Sequence, residues 1–236
     1  MSKPKAKPRV ARPRTRPSPA TRRYAGRSAD EWRFDRRERL LQAGLELFAR
    51  QGFHATKIET LCQTAGVTAR HFYEAFESRE SLFAALYDRL ISETRVKLIA
   101  AMQTPATSPR AQIERDVRTF VAAYTDDPRV ARICCLEVLG VSEVMARRRA
   151  EVMHEFALIV EAAIQGFVER GLLPRMSFRL RAVGLVGAVN ELISAWLLMP
   201  KLGSVESLMQ ELVGFYESNL VGTQVLWRNF ATVASK

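Results

Sequence analysis

The stretch that most constrains this chain is TKIETLCQTAGVTARHFYEAFESRESL, Thr56 to Leu82, in which one glycine separates two short apolar patterns of helical spacing. A tight glycine turn between two short helices is the helix-turn-helix arrangement. Neither helix can bury its apolar side alone, so a third helix must cover both. Leu40, Leu41, Gly44, Leu45 and Phe48 recur on one helical face just upstream and provide it, with Gly52 as its stop. Thr56 stands three residues before Glu59, which reads as a capping box for a second helix running to Ala65. Gly66 then makes the turn, and a third helix is expected over Thr68 to Phe76. Ser78 caps a fourth, with Glu80 near its positive end, which runs to about Met102 before TPATSP breaks it.

Beyond that break the helical pattern continues over 109–125, 129–139, 142–170, 177–199 and 204–221. Pro128, Gly140, Gly171, Pro174, Pro200 and Gly203 punctuate it. No segment alternates as a strand would and no repeat is visible, so an all-α chain is expected. Three domains are read: a basic tail over 1–29, a helix-turn-helix domain over 30–80 and a second helical domain over 81–236.

The formal net charge of +11 is a property of the tail. Residues 1–27 hold ten Lys or Arg, five prolines and no acid, while the remainder is close to neutral with 26 basic and 25 acidic residues. Such a segment is read as disordered, and as an arm that meets nucleic acid. Its PRTRP, Pro13 to Pro17, resembles the core of an AT-hook, but Thr15 stands at the usual central glycine and would crowd a minor-groove floor. Loose phosphate contact by the whole arm is the stronger reading. Cys62, Cys134 and Cys135 form no metal-ligand or CxxC pattern, which fits a reducing, cytoplasmic setting. No signal peptide is apparent, and the most apolar stretch, Ala182 to Met199, is interrupted by Asn190 and Glu191, so no membrane partner is expected. No phosphate loop, dinucleotide fingerprint, zinc-protease motif or nucleophile elbow appears, so neither an enzyme nor a cofactor is expected.

The third helix has two tasks. Val67, Phe72 and Phe76 are spaced to anchor it, leaving Thr68, Ala69, Arg70, His71 and Tyr73 to face DNA. Arg70 can pair with guanine and Ala69 can touch a thymine methyl. Glu74 lies four residues beyond Arg70, so the two can also pair on the helix surface. Cys62 is read as a packing residue.

Residues 36–90 resemble the DNA-binding domain of TetR-type bacterial regulators. The Gly-Phe after the first helix, the Thr before the second, AGV, the Tyr, the Phe and Ser-Arg-Glu-Ser-Leu fall in the family's order. The resemblance implies a homodimer that reads a palindromic double-stranded operator and is released by a small-molecule effector in the C-terminal domain. It implies phosphate contacts from Thr56, Lys57 and Tyr73, a phosphate held by Arg79, and base-facing positions at Ala69, Arg70 and His71. It implies pairing of the last two long helices across the dimer, where Gly184, Gly187 and Ala188 permit close approach. Glu74 and Ala75 stand where the family often carries a basic residue followed by His or Tyr.

For the effector, a mainly apolar pocket is expected, with Phe120, Tyr124, Leu136, Met145 and Phe156 as lining and Glu137 and Asn190 as polar fixers. Glu137 and Asn190-Glu191 sit within apolar runs, and a buried carboxylate must be paired or line a cavity. An internal arginine, Arg132 or Arg181, is the favoured partner. ARRRAE, Ala146 to Glu151, reads as a solvated face, and His154 as structural. The leading reading is a ligand-responsive repressor. The alternatives are an architectural DNA-binding protein that uses its tail without an effector, and a redox switch acting through Cys134 or Cys135.

Overall fold

The computed structural model describes residues 28–199 and 201–234, with side chains as far as Val225. The basic tail and its PRTRP stretch lie outside the described residues.

Helix α1 spans Ala29–Gln51 and is capped by Ser28, whose hydroxyl accepts from the Glu31 amide in a full capping box. Helices α2 (Ile58–Ala65) and α3 (Ala69–Ala75) form the helix-turn-helix. Gly66 joins them at φ +62°, a left-handed conformation that a side chain would strain. Arg39 on α1 closes the end of α2 by donating to the Ala65 and Gly66 carbonyls at 3.1 and 3.2 Å. Helix α4 spans Arg79–Gln103 behind a Ser78 cap, its box completed by Ser81. Leu40, Leu47, Phe48, Leu61, Phe72, Leu82 and Phe83 are fully buried where these four helices meet. Each such side chain contributes roughly 1.5–3 kcal/mol of burial.

The expected capping box at the start of α2 does not form. The cap position is Lys57, and no side chain caps it. Thr56 is buried instead, and its hydroxyl donates backward to the Gly52 carbonyl at 2.7 Å. A hydroxyl bonded back into the preceding turn cannot serve the helix ahead of it.

Helix α5 (Pro109–Thr125) starts at a Ser108 cap with proline in its first turn. The segment expected as one helix over 129–139 is three pieces: α6 (Pro128–Ala131), a π-helical turn over Arg132–Glu137, and α7 (Val138–Val141). Helix α8 (Glu143–Glu169) follows a Ser142 cap, then α9 (Arg179–Leu198) and α10 (Val205–Ala234). Helix α10 runs past the expected end at 221, because Gly222 costs a helix only about 1 kcal/mol relative to alanine. No strand occurs among the described residues.

Helix α8 packs on α9, α4 on α5, and α10 on α5 and α9. Salt bridges tie the layers together: Arg148 to Asp88 at 2.9 Å and Arg118 to Glu206 at 2.8 Å. Arg95 pairs with Glu155 across α4 and α8. By length and composition α9 is apolar enough to cross a membrane, which the sequence reading denied. In the fold its Ala182, Leu185, Val186, Val189 and Ile193 are buried, and Asn190 on the same helix bonds to Arg149 on α8.

Candidate nucleic-acid interface and effector cavity

Phe72 is completely buried and fixes which edge of α3 meets solvent. Thr68 caps the helix by accepting from the His71 amide, and its hydroxyl also lies 3.1 Å from the His71 Nδ1. Thr68, Ala69, Arg70, Tyr73 and Glu74 are exposed and His71 is half-buried. The Arg70 side chain is 86% exposed, and its Nε donates to Glu74 at 3.0 Å. The expected surface pair therefore forms, but an i,i+4 pair this exposed is worth only a few tenths of a kcal/mol and yields readily to a base edge. Tyr73 is 59% exposed with its ring edge-on to Phe72. Lys57 is exposed at the uncapped start of α2, beside amides that an anion can satisfy.

Two of the expected phosphate contacts are corrected. Thr56 is 0% exposed, with its hydroxyl proton committed to Gly52 and its oxygen receiving Gln51 Nε2 at 3.2 Å. Arg79 turns inward. It donates to the carbonyls of Thr56 at 2.5 Å and His54 at 3.3 Å, and its guanidinium lies 4.3 Å from the centre of the Phe53 ring. Arg79 is therefore a clamp on the loop between α1 and α2.

The Gly52–His54 loop is also held from the other half of the molecule. Glu137 Oε2 accepts from the Phe53 amide at 3.1 Å, and its other oxygen lies 3.5 Å from Arg132 Nε. A Cβ on Gly52 would stand 3.2 Å from that carboxylate, and the residue's φ of +85° would strain one in any case. His54 Nε2 lies 2.6 Å from the Gly140 carbonyl, and Ser142 donates to Glu80 at 2.6 Å. Glu137 is thus paired with Arg132, as favoured, and is no pocket residue: the carboxylate leans outward onto the helix-turn-helix.

The C-terminal half contains a cavity whose walls are almost wholly apolar. Phe120, Phe156, Val160, Phe167, Leu185 and Val189 are among its lining. Asp116 is the one acid there; burial raises its carboxyl above the ordinary carboxylate range, against the lowering effect of Arg115. Phe120, Phe156 and Val186 also border a smaller chamber lined by Tyr87, Tyr124, Cys134, Cys135, Arg149 and Asn190. Phe120, Tyr124, Phe156 and Asn190, expected as lining, each border one or both of these spaces. Leu136, Glu137 and Met145 line neither space; Met145 is buried in the solid core and Leu136 packs at its edge. Cys134 and Cys135 are buried, which raises both thiols, Cys135 to about 12.

Sequence reasoning missed Arg149, which does not belong to a solvated face. It lines the chamber and donates to Asn190. A signal was present: Met145, Arg149, Val152 and Phe156 fall on one helical stripe, and the other three are buried. Arg147 is exposed as expected, and Arg148 pairs with Asp88 and Glu155. Glu191 is exposed and needs no internal partner.

Residues 40–86 match the family described as "Bacterial regulatory proteins, tetR family". The HTH-type transcriptional regulator RutR of Escherichia coli K12 is 30% identical over 138 residues, covering 58% of this chain and 64% of that protein. The chain thus spans less than two thirds of that relative. The regulator EthR of Mycolicibacterium smegmatis is 26% identical over 157 residues, covering 66% and 70%. Among solved structures, a TetR-family regulator from Syntrophomonas wolfei superposes with a TM-score of 0.69 at 15% identity, over 80% of this chain and 96% of that one. FadR of Bacillus subtilis, solved with stearoyl-CoA, gives 0.67 at 13%, over 75% and 95%. The fold is that of these regulators, and the helix-turn-helix is of the TetR type.

Proposed function

We propose, from this TetR-type helix-turn-helix and the cavity behind it, that the chain is a ligand-responsive transcriptional regulator: a homodimeric repressor that binds a palindromic operator and is released by a small, mainly apolar effector. One observation carries the reading. The π-helical turn Arg132–Glu137 presents Cys134 and Cys135 to the chamber and, two residues on, Glu137 to the Phe53 amide. A single short element thus touches both the effector space and the loop that leads into α2. Helical turns of this type recur at functional sites because their extra residue can slip.

Ala69, Arg70 and His71 read bases in this proposal, and Lys57 and Tyr73 hold phosphates. The units are the tail over 1–29, the helix-turn-helix over 30–80 and the effector and dimer domain over 81–236. Dimerisation by α9 and α10 is supported by Leu180, Val183, Phe215, Val221 and Val225, which are exposed and apolar. Open space beside Gly184, Gly187 and Gly214 leaves room for a second copy. An effector that pulls the π-turn toward the chamber loosens Glu137 from Phe53 and lets α4 and the recognition helix shift. A dimer reading two half-sites at fixed spacing does not tolerate that shift, and a tenfold loss of affinity requires only about 1.4 kcal/mol of coupling. Burial of both thiols speaks against the redox alternative.

The test is a footprint of the purified dimer on DNA flanking its own gene, repeated with apolar metabolites. Protection of a two-fold symmetric site that one compound relieves is the expected result. Protection without sequence preference, lost on removal of residues 1–27, supports the architectural alternative.

A further inference from the structure

We propose that the effector of this site is an organic acid with an apolar body, and that Arg149 receives its carboxylate. The inference rests on the effector reading above and names the chemical class. Arg149 lies on the inner face of α8, bordering the chamber. Its side chain donates to the Asn190 amide oxygen, while its Nε is buried and has no hydrogen-bond partner. No carboxylate among the described residues lies within 4 Å of its guanidinium, although Arg148, one position earlier, is bound to Asp88, Glu151 and Glu155.

A half-buried cation answered only by a neutral amide, with a buried donor left over, is unfavourable in the empty protein. A carboxylate relieves both defects, because a guanidinium presents its donors in a planar fork that matches two carboxylate oxygens. The surroundings offer other donors: the Asn190 amide already reaches toward Cys135 Sγ at 3.7 Å, and the Tyr87 and Tyr124 side chains line the same chamber.

The larger cavity sets the rest of the molecule and its direction. Phe120, Phe156 and Val186 border both spaces, so an acid held at Arg149 directs its body between them into apolar walls. Asp116, the acid of that larger cavity, is already paired with Arg115 at 3.1 Å, so the cation still to be answered lies at the Arg149 end. Asn190 therefore has a different task from a lone polar fixer: it holds Arg149 in place until the acid arrives.

The test uses the purified protein and straight-chain alkanoates of graded length together with phenyl-substituted alkanoic acids, each compared with its matched primary alcohol in calorimetric titration. At least one acid is expected to bind about tenfold or more tightly than its alcohol, the scale of a charged hydrogen bond. Arg149→Gln is expected to erase that preference, bringing the acid's affinity down to the level of its alcohol, and an unchanged thermal unfolding transition reports that the variant is still folded. Arg149→Lys is expected to keep part of the preference, because it retains charge without the fork. Equal binding of acid and alcohol, a preference that survives in Arg149→Gln, or failure of every acid in the panel overturns the assignment. Operator release is measured separately. Acids that bind without releasing DNA refute the regulatory reading and leave the site standing. A neutral compound that releases DNA while no acid binds does the reverse.

Discussion

The two halves of this molecule are packed to different standards. Around α3 the side chains are closed: Phe48, Phe53 and Phe83 sit with ring centres 5.3–5.7 Å apart, and Phe72 is fully buried. The backbone acceptors at the end of α2 and in the loop before it are answered by Arg39 and Arg79. In the C-terminal half a cavity opens between α5, α8, α9 and α10, and buried atoms such as Arg149 Nε and Asn219 Oδ1 lack partners. A surface that must match base edges has to be rigid before it meets them. A site that must change state on binding retains unfilled space and unmet donors.

The sharpest way to break this contrast is to truncate one aromatic on each side. Phe72→Ala is expected to cost about 3–5 kcal/mol in urea unfolding, because the void left beneath α3 cannot relax. Phe120→Ala is expected to cost clearly less, since that ring is only partly buried and already borders empty space. Equal losses would show that the cavity is no looser than the helix-turn-helix core.

A smaller effect separates the readers from the scaffold. Arg70→Ala is expected to lose about 1–3 kcal/mol on the operator and to relax preference at one base pair per half-site. Tyr73→Phe should weaken specific and random DNA alike, because a phosphate contact carries no sequence information. Competition binding on point-mutated operators checks both, and an even loss for Arg70→Ala would remove it from the base readers. Glu74→Ala should tighten binding slightly by freeing Arg70 from its surface pair.

The smallest expected effect concerns pH. Burial raises the Asp116 carboxyl in the fold above its ordinary value. The fold therefore binds this proton more tightly than the unfolded chain does. The associated stability is present below the ordinary carboxylate range and is lost as pH rises through the raised value. Asp116→Asn is expected to raise the melting temperature modestly at pH 7 and to have no such benefit at pH 4. A variant that melts lower at pH 7 would mean that the Arg115 pair outweighs the burial.

Most of the helical frame was legible in the sequence because its signals are local. Ser78 caps the helix that follows it, and Gly66 makes its turn wherever the rest of the chain lies. The exposed edge of α3 was equally readable, since Phe72 takes the inner face and helical geometry sends Arg70 and Tyr73 elsewhere. The directions of long polar side chains were decided only by the tertiary structure. Arg79 finds Thr56 across 23 residues, Arg149 finds Asn190 across 41, and Glu137 finds Phe53 across 84. Each has enough reach to point either into solvent or into the fold. The choice falls to whichever buried acceptor or donor the distant helices bring within about 3 Å, and helical periodicity carries no record of that partner.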